Sequence, residues 1–188
     1  MKVVRVTQVL DYFQPPNLVA WKLRTGNAEA NRISRAAMKT GSRVDEIIKA
    51  NLEPVKKDKP EVFSAFIAYK KWLAIYIPLE VKPQVRVEKE IEGIILSGEP
   101  DIIVIDDIEP PTLVDIKVAT RISDKYWLQL AAYAWLTDWT GPVGILRLDK
   151  ATESYEYVTK NLSVEWAVYC GLLKAYLYYG EDDNGAEL

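Results

Sequence analysis

The 188-residue chain has no histidine and a single cysteine, Cys170. The first absence excludes a Ser-His-Asp or Cys-His catalytic site, imidazole-bound zinc and a histidine general base. The second excludes an intrachain disulfide and a thiolate zinc cluster. Any resident metal must then be held by carboxylates, carbonyls and water, the ligands that suit magnesium, manganese or calcium. No apolar run approaches the roughly 20 residues that span a bilayer. No segment reads as a signal peptide, and no Gly-rich phosphate loop is present. The expectation is a soluble, cytoplasmic protein with no membrane partner.

What is present suits one globular domain. Hydrophobic residues make up 49% of the chain, enough at this length to bury a core without a covalent or metal staple. The net charge is −3, which argues against a polycation, but it is unevenly spread. Residues 20–60 carry ten basic side chains (Lys22, Arg24, Arg32, Arg35, Lys39, Arg43, Lys49, Lys56, Lys57, Lys59) against five acidic ones. That stretch is +5 and the remainder −8. A basic face of this kind either meets a phosphate backbone or is a solvated helix surface.

Residues 1–77 read as helical. Pieces from Thr7 to about Asn51 break at Gln14-Pro15-Pro16 and near Thr25-Gly26, and Gly41-Ser42 opens or interrupts a helix with Val44, Ile47, Ile48 and Asn51 on one face. A further helix spans Val62 to Ile75. Residues 78–160 read as a sheet region: strands Val85 to Leu96, Asp101 to Asp106 and Leu113 to Ala119 as an antiparallel meander, a helix over 124–139, then strands Val143 to Leu148 and Tyr155 to Thr159. A C-terminal helix lies within 161–180, with Trp166, Tyr169, Leu173 and Tyr176 at core spacing, and 181–188 is a loose tail.

Alternation along Leu113-Val114-Asp115-Ile116-Lys117-Val118 puts Asp115 and Lys117 side by side on one face of a strand. Burying such a pair is expensive unless it is paired or binds an ion. Gly98-Glu99-Pro100-Asp101 brings a second aspartate to the start of the adjoining strand, where both carboxylates could reach one cation, with the Ile116 carbonyl between them. Lys117 could orient or deprotonate an attacking water or stabilise charge on a phosphate. Gln129 and Tyr133, four apart on a helix, share a face beside the apolar stripe. Glu88, Glu90 and Glu92 alternate just before this hairpin, as an extra ligand or as the solvent side of an edge strand.

Pro100-Asp101, thirteen intervening residues, Asp115-Ile116-Lys117 and then Gln129-x-x-x-Tyr133 resemble the PD-(D/E)XK nuclease superfamily. Within it they are most similar to the RecB-like branch of CRISPR-associated and phage exonucleases. The opening Val6-Thr7-Gln8-Val9-Leu10 and Leu18-Val19-Ala20-Trp21-Lys22 resemble the helical entry of phage-type members. The resemblance implies an α/β fold with a central mixed β-sheet flanked by helices, a restriction-endonuclease-like core, in a bacterial, archaeal or phage-infected cell. It implies a magnesium- or manganese-dependent DNA nuclease, an exonuclease at DNA ends, with Asp101, Asp115, Lys117, Gln129 and Tyr133 catalytic. Metal ligands would be Asp101, Asp115, Ile116 and Asp45. The last stands where many RecB-like members place a histidine after Gly-Ser/Thr, here Gly41-Ser42-Arg43-Val44-Asp45. Asp45 lies roughly 100° from the centre of its helix's apolar face, and Glu46 roughly opposite that face. Arg35, Lys39 and Arg43 would contact DNA, and a homo-oligomer or a recombination or replication protein could be a partner. Two other readings remain open: a catalytically silent DNA-binding subunit, and an enzyme acting on a phosphorylated small molecule.

Overall fold

Alternating apolar residues build two sheets here instead of one. A computed structural model describes residues 1–14, 16–107 and 109–180. The expected tail at 181–188 lies outside the described residues, as do Pro15, in the first expected break, and Ile108, between the strands expected over Asp101 to Asp106 and Leu113 to Ala119. Strand β1 (Val3–Arg5) leads into helices α1 (Val6–Asp11), α2 (Pro16–Thr25), α3 (Asn27–Lys49) and α4 (Pro60–Tyr76). Strands β2 (Glu80–Pro83), β3 (Val87–Ile91), β4 (Ile94–Gly98), β5 (Ile102–Ile105) and β6 (Thr112–Val118) follow. The chain closes with α5 (Asp124–Leu136), β7 (Val143–Leu148), β8 (Tyr155–Lys160) and α6 (Glu165–Gly180).

The larger sheet has the order β2-β5-β6-β7-β8 and is mixed, because β6 and β7 run parallel while the other pairs are antiparallel. Parallel neighbours need a crossover, and α5 supplies it. The smaller sheet is β1-β4-β3. The meander expected over residues 85–119 is therefore corrected in two ways. Its first strand is a hairpin, folded at Glu92 and Gly93, whose φ angles of 51° and 75° are those of a tight two-residue turn. Its first and second strands also part company after Gly98, where Pro100 lacks the N–H that would extend a ladder.

Helix α3 runs unbroken through Gly41-Ser42, contrary to the expected interruption. One glycine costs a helix about 1 kcal/mol, and the buried side of α3 at Ala30, Thr40, Val44, Ile47 and Ile48 outweighs it. The helix expected over 124–139 stops at Leu136, and the last one begins at Glu165.

Two cores sandwich the larger sheet. On one face Val114, Ile116, Leu146 and Leu148 pack with Val44 and Ile47 of α3 and Trp72 of α4. On the other, Leu113, Val143 and Ile145 pack with Leu128 and Ala132 of α5 and with Tyr169 and Leu173 of α6. Trp135 and Trp166 stack at 5.0 Å, which joins the two helices of that layer. Glu88 and Glu90 are exposed on β3, the solvent side of an edge strand. Among the described residues no helix is long and apolar enough to cross a membrane.

Candidate active site

Strand register brings the two aspartates together. Ile102 lies opposite Val114 in the antiparallel β5–β6 pair, so extending the register by one residue sets Asp101 across from Asp115. Strand β5 has ended there, and the Ile116 N–H would lack a ladder partner. The Asp101 side chain takes that place, its Oδ2 accepting from Ile116 N at 2.7 Å. Asp101 is thereby fixed beside the strand that carries Asp115 and Lys117.

Asp115 is 1% exposed, and Lys117 Nζ stands 2.6 Å from its Oδ2. The contact is an ion pair without hydrogen-bond geometry, and both Asp115 oxygens are buried with no hydrogen bond. Burial, helped by the neighbouring Asp101 charge, outweighs the pull of Lys117 and leaves the Asp115 carboxyl pushed up to about 7. Burial favours the neutral amine of Lys117, but Asp115 and Asp101 outweigh it and raise its pKa. Lys117 is therefore an ammonium at neutral pH beside the two acids, suited to hold or neutralise an anion. Its Nζ also lies 5.4 Å from the centre of the Tyr126 ring, on the first turn of α5.

Helix α5 closes the same side. Gln129 Nε2 donates to Tyr133 Oη at 2.7 Å. Burial, reinforced by Asp115, pushes the Tyr133 phenol up to about 12, so it stays protonated beside the acids. Tyr133 can lie this close to the strands because Gly98 has no side chain: a Cβ there would sit 2.7 Å from Tyr133 Cε1 and 2.8 Å from Leu136 Cδ1. Gly98→Ala is expected to cost about 1–3 kcal/mol of stability, as overpacking does, and to displace Tyr133. An unchanged urea midpoint would refute this account of the contact.

Helix α3 forms the opposite wall. Ala37, Met38, Gly41, Ser42 and Asp45 line a cavity of about 380 Å³ together with Asp101, Ile116, Lys117, Val118 and Tyr126. Asp45 thus faces Asp101 and Lys117 across the cavity, while Glu46 is exposed and pairs with Arg43 at 2.9 Å. Burial and the Asp101 charge raise the Asp45 carboxyl against the pull of Lys49. Along α3 the groove continues past Ser42 and Met38 to Arg35 and Lys39, where Lys59 joins them. Arg43 points to this surface, but its guanidinium is held in a two-pronged contact by Asp58 at 2.9 and 3.1 Å.

Two residues of the site escaped the sequence reading. Lys49 Nζ sits among Glu99, Asp45 and Asp101 at 3.1, 3.3 and 3.4 Å. Its position four residues after Asp45 was a signal available in the sequence. Glu99 carried a weaker one, two residues before Asp101.

The donor set fits a hard divalent cation in its chemistry. All the candidate donors are oxygens; Asp115 Oδ1 and Asp45 Oδ1 are buried acceptors without a hydrogen bond, and Asp115 Oδ2 has the Lys117 ammonium as its ion-pair partner. As they stand, no three acidic or sulfur side chains among the described residues are disposed to hold a metal ion. The ammonium groups of Lys49 and Lys117 stand among them.

The fold is one already known among solved structures. No family model matches the chain, and no curated protein matches it. The crystal structure of SSO0001 aligns with 95% of this chain and 76% of its own, at a TM-score of 0.54 and 12% identity. At that identity the likeness is one of fold alone. A structure from Eubacterium rectale, described as a "Putative exonuclease", aligns with 78% of this chain at a TM-score of 0.46 and 17% identity. The alignment spans 65% of that protein's length.

Proposed function

We propose that the chain is a magnesium- or manganese-dependent DNA nuclease with a PD-(D/E)XK, restriction-endonuclease-like core, acting as an exonuclease at DNA ends. The observation that carries this reading is the placement of Asp101, at the end of β5, across from Asp115 of β6 with Lys117 beside them, Asp101 and Lys117 lining a cavity and Asp115 buried behind them. Asp101, Asp115, Asp45 and the Ile116 carbonyl would hold the ion. When bound, such an ion would lower the pKa of water and polarise a phosphoryl oxygen. Lys117 would neutralise charge that gathers on the phosphoryl oxygens as water attacks in line and the leaving oxygen departs on the far side. Gln129 would fix the Tyr133 hydroxyl, and Tyr133 in turn the lysine and its acid. Arg35, Lys39 and Lys59 would take phosphates along the α3 groove. Arg43, occupied by Asp58 and Glu46, would brace that groove instead of binding DNA. The action at ends follows from the RecB-like character of the motifs.

The test is digestion of end-labelled linear and closed circular DNA, single- and double-stranded, in magnesium, manganese or EDTA. Shortening of linear DNA only, and only with metal, is the expected result. Cutting of circles would make the protein an endonuclease. Retention of DNA in a gel shift without any cleavage would replace the reading by a catalytically silent DNA-binding subunit.

A further inference from the structure

Lys49 has no task in the chemistry set out above, yet it occupies the centre of the acids. Only 16% of its side chain is exposed. It approaches two segments at once: Asp45 on its own helix, and Glu99 and Asp101 in the link from β4 to β5. The shortest of the three contacts, to Glu99, is a hydrogen bond.

These distances belong to an ammonium and not to a metal. Magnesium holds its oxygens at about 2.0–2.1 Å, whereas the three carboxylate oxygens here stand 3.1–3.4 Å from Nζ. Both oxygens of Asp101 are engaged, Oδ1 by Lys49 and Oδ2 by the Ile116 N–H. Asp45 gives Oδ2 to the lysine and leaves Oδ1 buried without a partner. An ion arriving through the cavity would meet Asp45 and Asp101, which line it, whereas Lys49 and Glu99 are not part of that lining. It would contend with the ammonium for the same two acids, and two cations a few ångströms apart repel each other.

We propose that Lys49 is the resident counter-cation of Asp45 and Asp101, that a divalent metal binds by displacing it from them, and that Glu99 keeps the displaced ammonium. Glu99 suits that role as the most exposed of the three acids, at 44%, and so it is free to follow the lysine outward. The arrangement neutralises neighbouring carboxylates while no metal is bound, because unpaired charge in a half-buried site is costly. The same ammonium weakens the metal's hold and so sets the affinity of the site. This inference rests on the metal-dependent reading of the site. A lysine that instead oriented the two acids for the metal would act with the opposite sign, and the sign is measurable.

The experiment is manganese titration of the full chain by calorimetry, with free manganese followed by electron paramagnetic resonance and folding checked by thermal melting. Lys49→Met is expected to bind manganese about tenfold more tightly or better, while Lys49→Arg, which keeps the charge, stays close to the parent protein. Lys49→Gln serves if the methionine variant does not fold, and shifts in the same direction. Glu99→Gln is expected to weaken binding when Lys49 is present and to lose most of that effect in the Lys49→Met background, the non-additivity expected of a direct coupling. Asp115→Asn, in the same titration, reports on the metal site itself. Binding by the parent protein that Asp115→Asn weakens but Lys49→Met leaves equal or reduces would overturn the proposal and leave the metal site standing. No manganese uptake by either the parent or the Lys49→Met protein would overturn both.

Discussion

Lys117→Ala is expected to lower the rate of DNA cleavage by about 10²–10³-fold at saturating metal, the usual loss when one preorganised charge at a reacting oxygen is removed. Two effects combine in this variant. The ammonium that would offset charge on the phosphoryl oxygens is gone. Asp115, at 1% exposure, also loses the group that opposes its burial, so its carboxyl shifts further up and holds a cation less well. Measuring turnover against metal concentration separates them: the affinity loss is recovered by added metal and the loss of charge at the reacting centre is not. Lys117→Arg should restore part of the charge but not the 2.6 Å approach to Asp115, because a planar guanidinium does not replace a compact ammonium there. Cleavage by Lys117→Ala within a few-fold of the parent protein would remove this lysine from the chemistry.

Trp72→Ala should produce the largest loss of stability, about 3–5 kcal/mol, in the range for deleting a buried aromatic side chain. The Trp72 side chain is fully buried. Its ring lies 5.8 Å from Tyr69 and 5.8 Å from Tyr76 on its own helix and meets Tyr157 of β8 edge-on at 5.5 Å. It thus ties α4 to the far edge of the sheet and belongs to the same core as Val44 and Ile47, which seat the helix that carries Asp45. Its indole N–H is buried without an acceptor. Trp72→Phe removes that unsatisfied donor along with part of the ring, so its cost should be well below that of alanine. Urea denaturation of both variants decides the point: a loss under about 1 kcal/mol in the alanine protein would show that this ring does not organise the layer.

How much of this was legible in the sequence varies from one element to the next. Strand β6 announced itself, because the alternation of Val114, Ile116 and Val118 with Asp115 and Lys117 has one period and one meaning. The apolar runs of β7 and the helical spacing of α5 were equally plain. Strand β1 was not: three residues, Val3 to Arg5, are a strand only because β4 lies beside them, some ninety positions later. The split into two sheets was only half legible: Pro100 marks a break in the ladder, but that β4 takes β1 and β5 takes β2 as neighbours is set by residues distant along the chain. Periodicity placed Asp45 and Glu46 at different angles on α3 but could not say what lay opposite. Lys49 was counted only as one basic residue among ten: Asp45, four positions before it, was within reach of a sequence reading, but Glu99 and Asp101, about fifty residues on, were not, and a charge total carries no geometry.

The crossover through α5 bears on when this site can exist at all during synthesis. Asp101 immediately precedes β5 and Asp115 lies in β6, strands that pair as a simple hairpin, but β6 is also hydrogen-bonded to β7, which is made only after α5. Tyr133, which closes over the acids, lies within that same crossover helix. Non-local pairing of this kind forms late, because the loop must close before its contacts repay the lost entropy. A nascent or truncated chain ending before β7 would carry Asp45, Asp101 and Asp115 and still lack the strand that pairs with the other edge of β6. Topology alone thus delays completion of the sheet around Asp115 until β7 has been made.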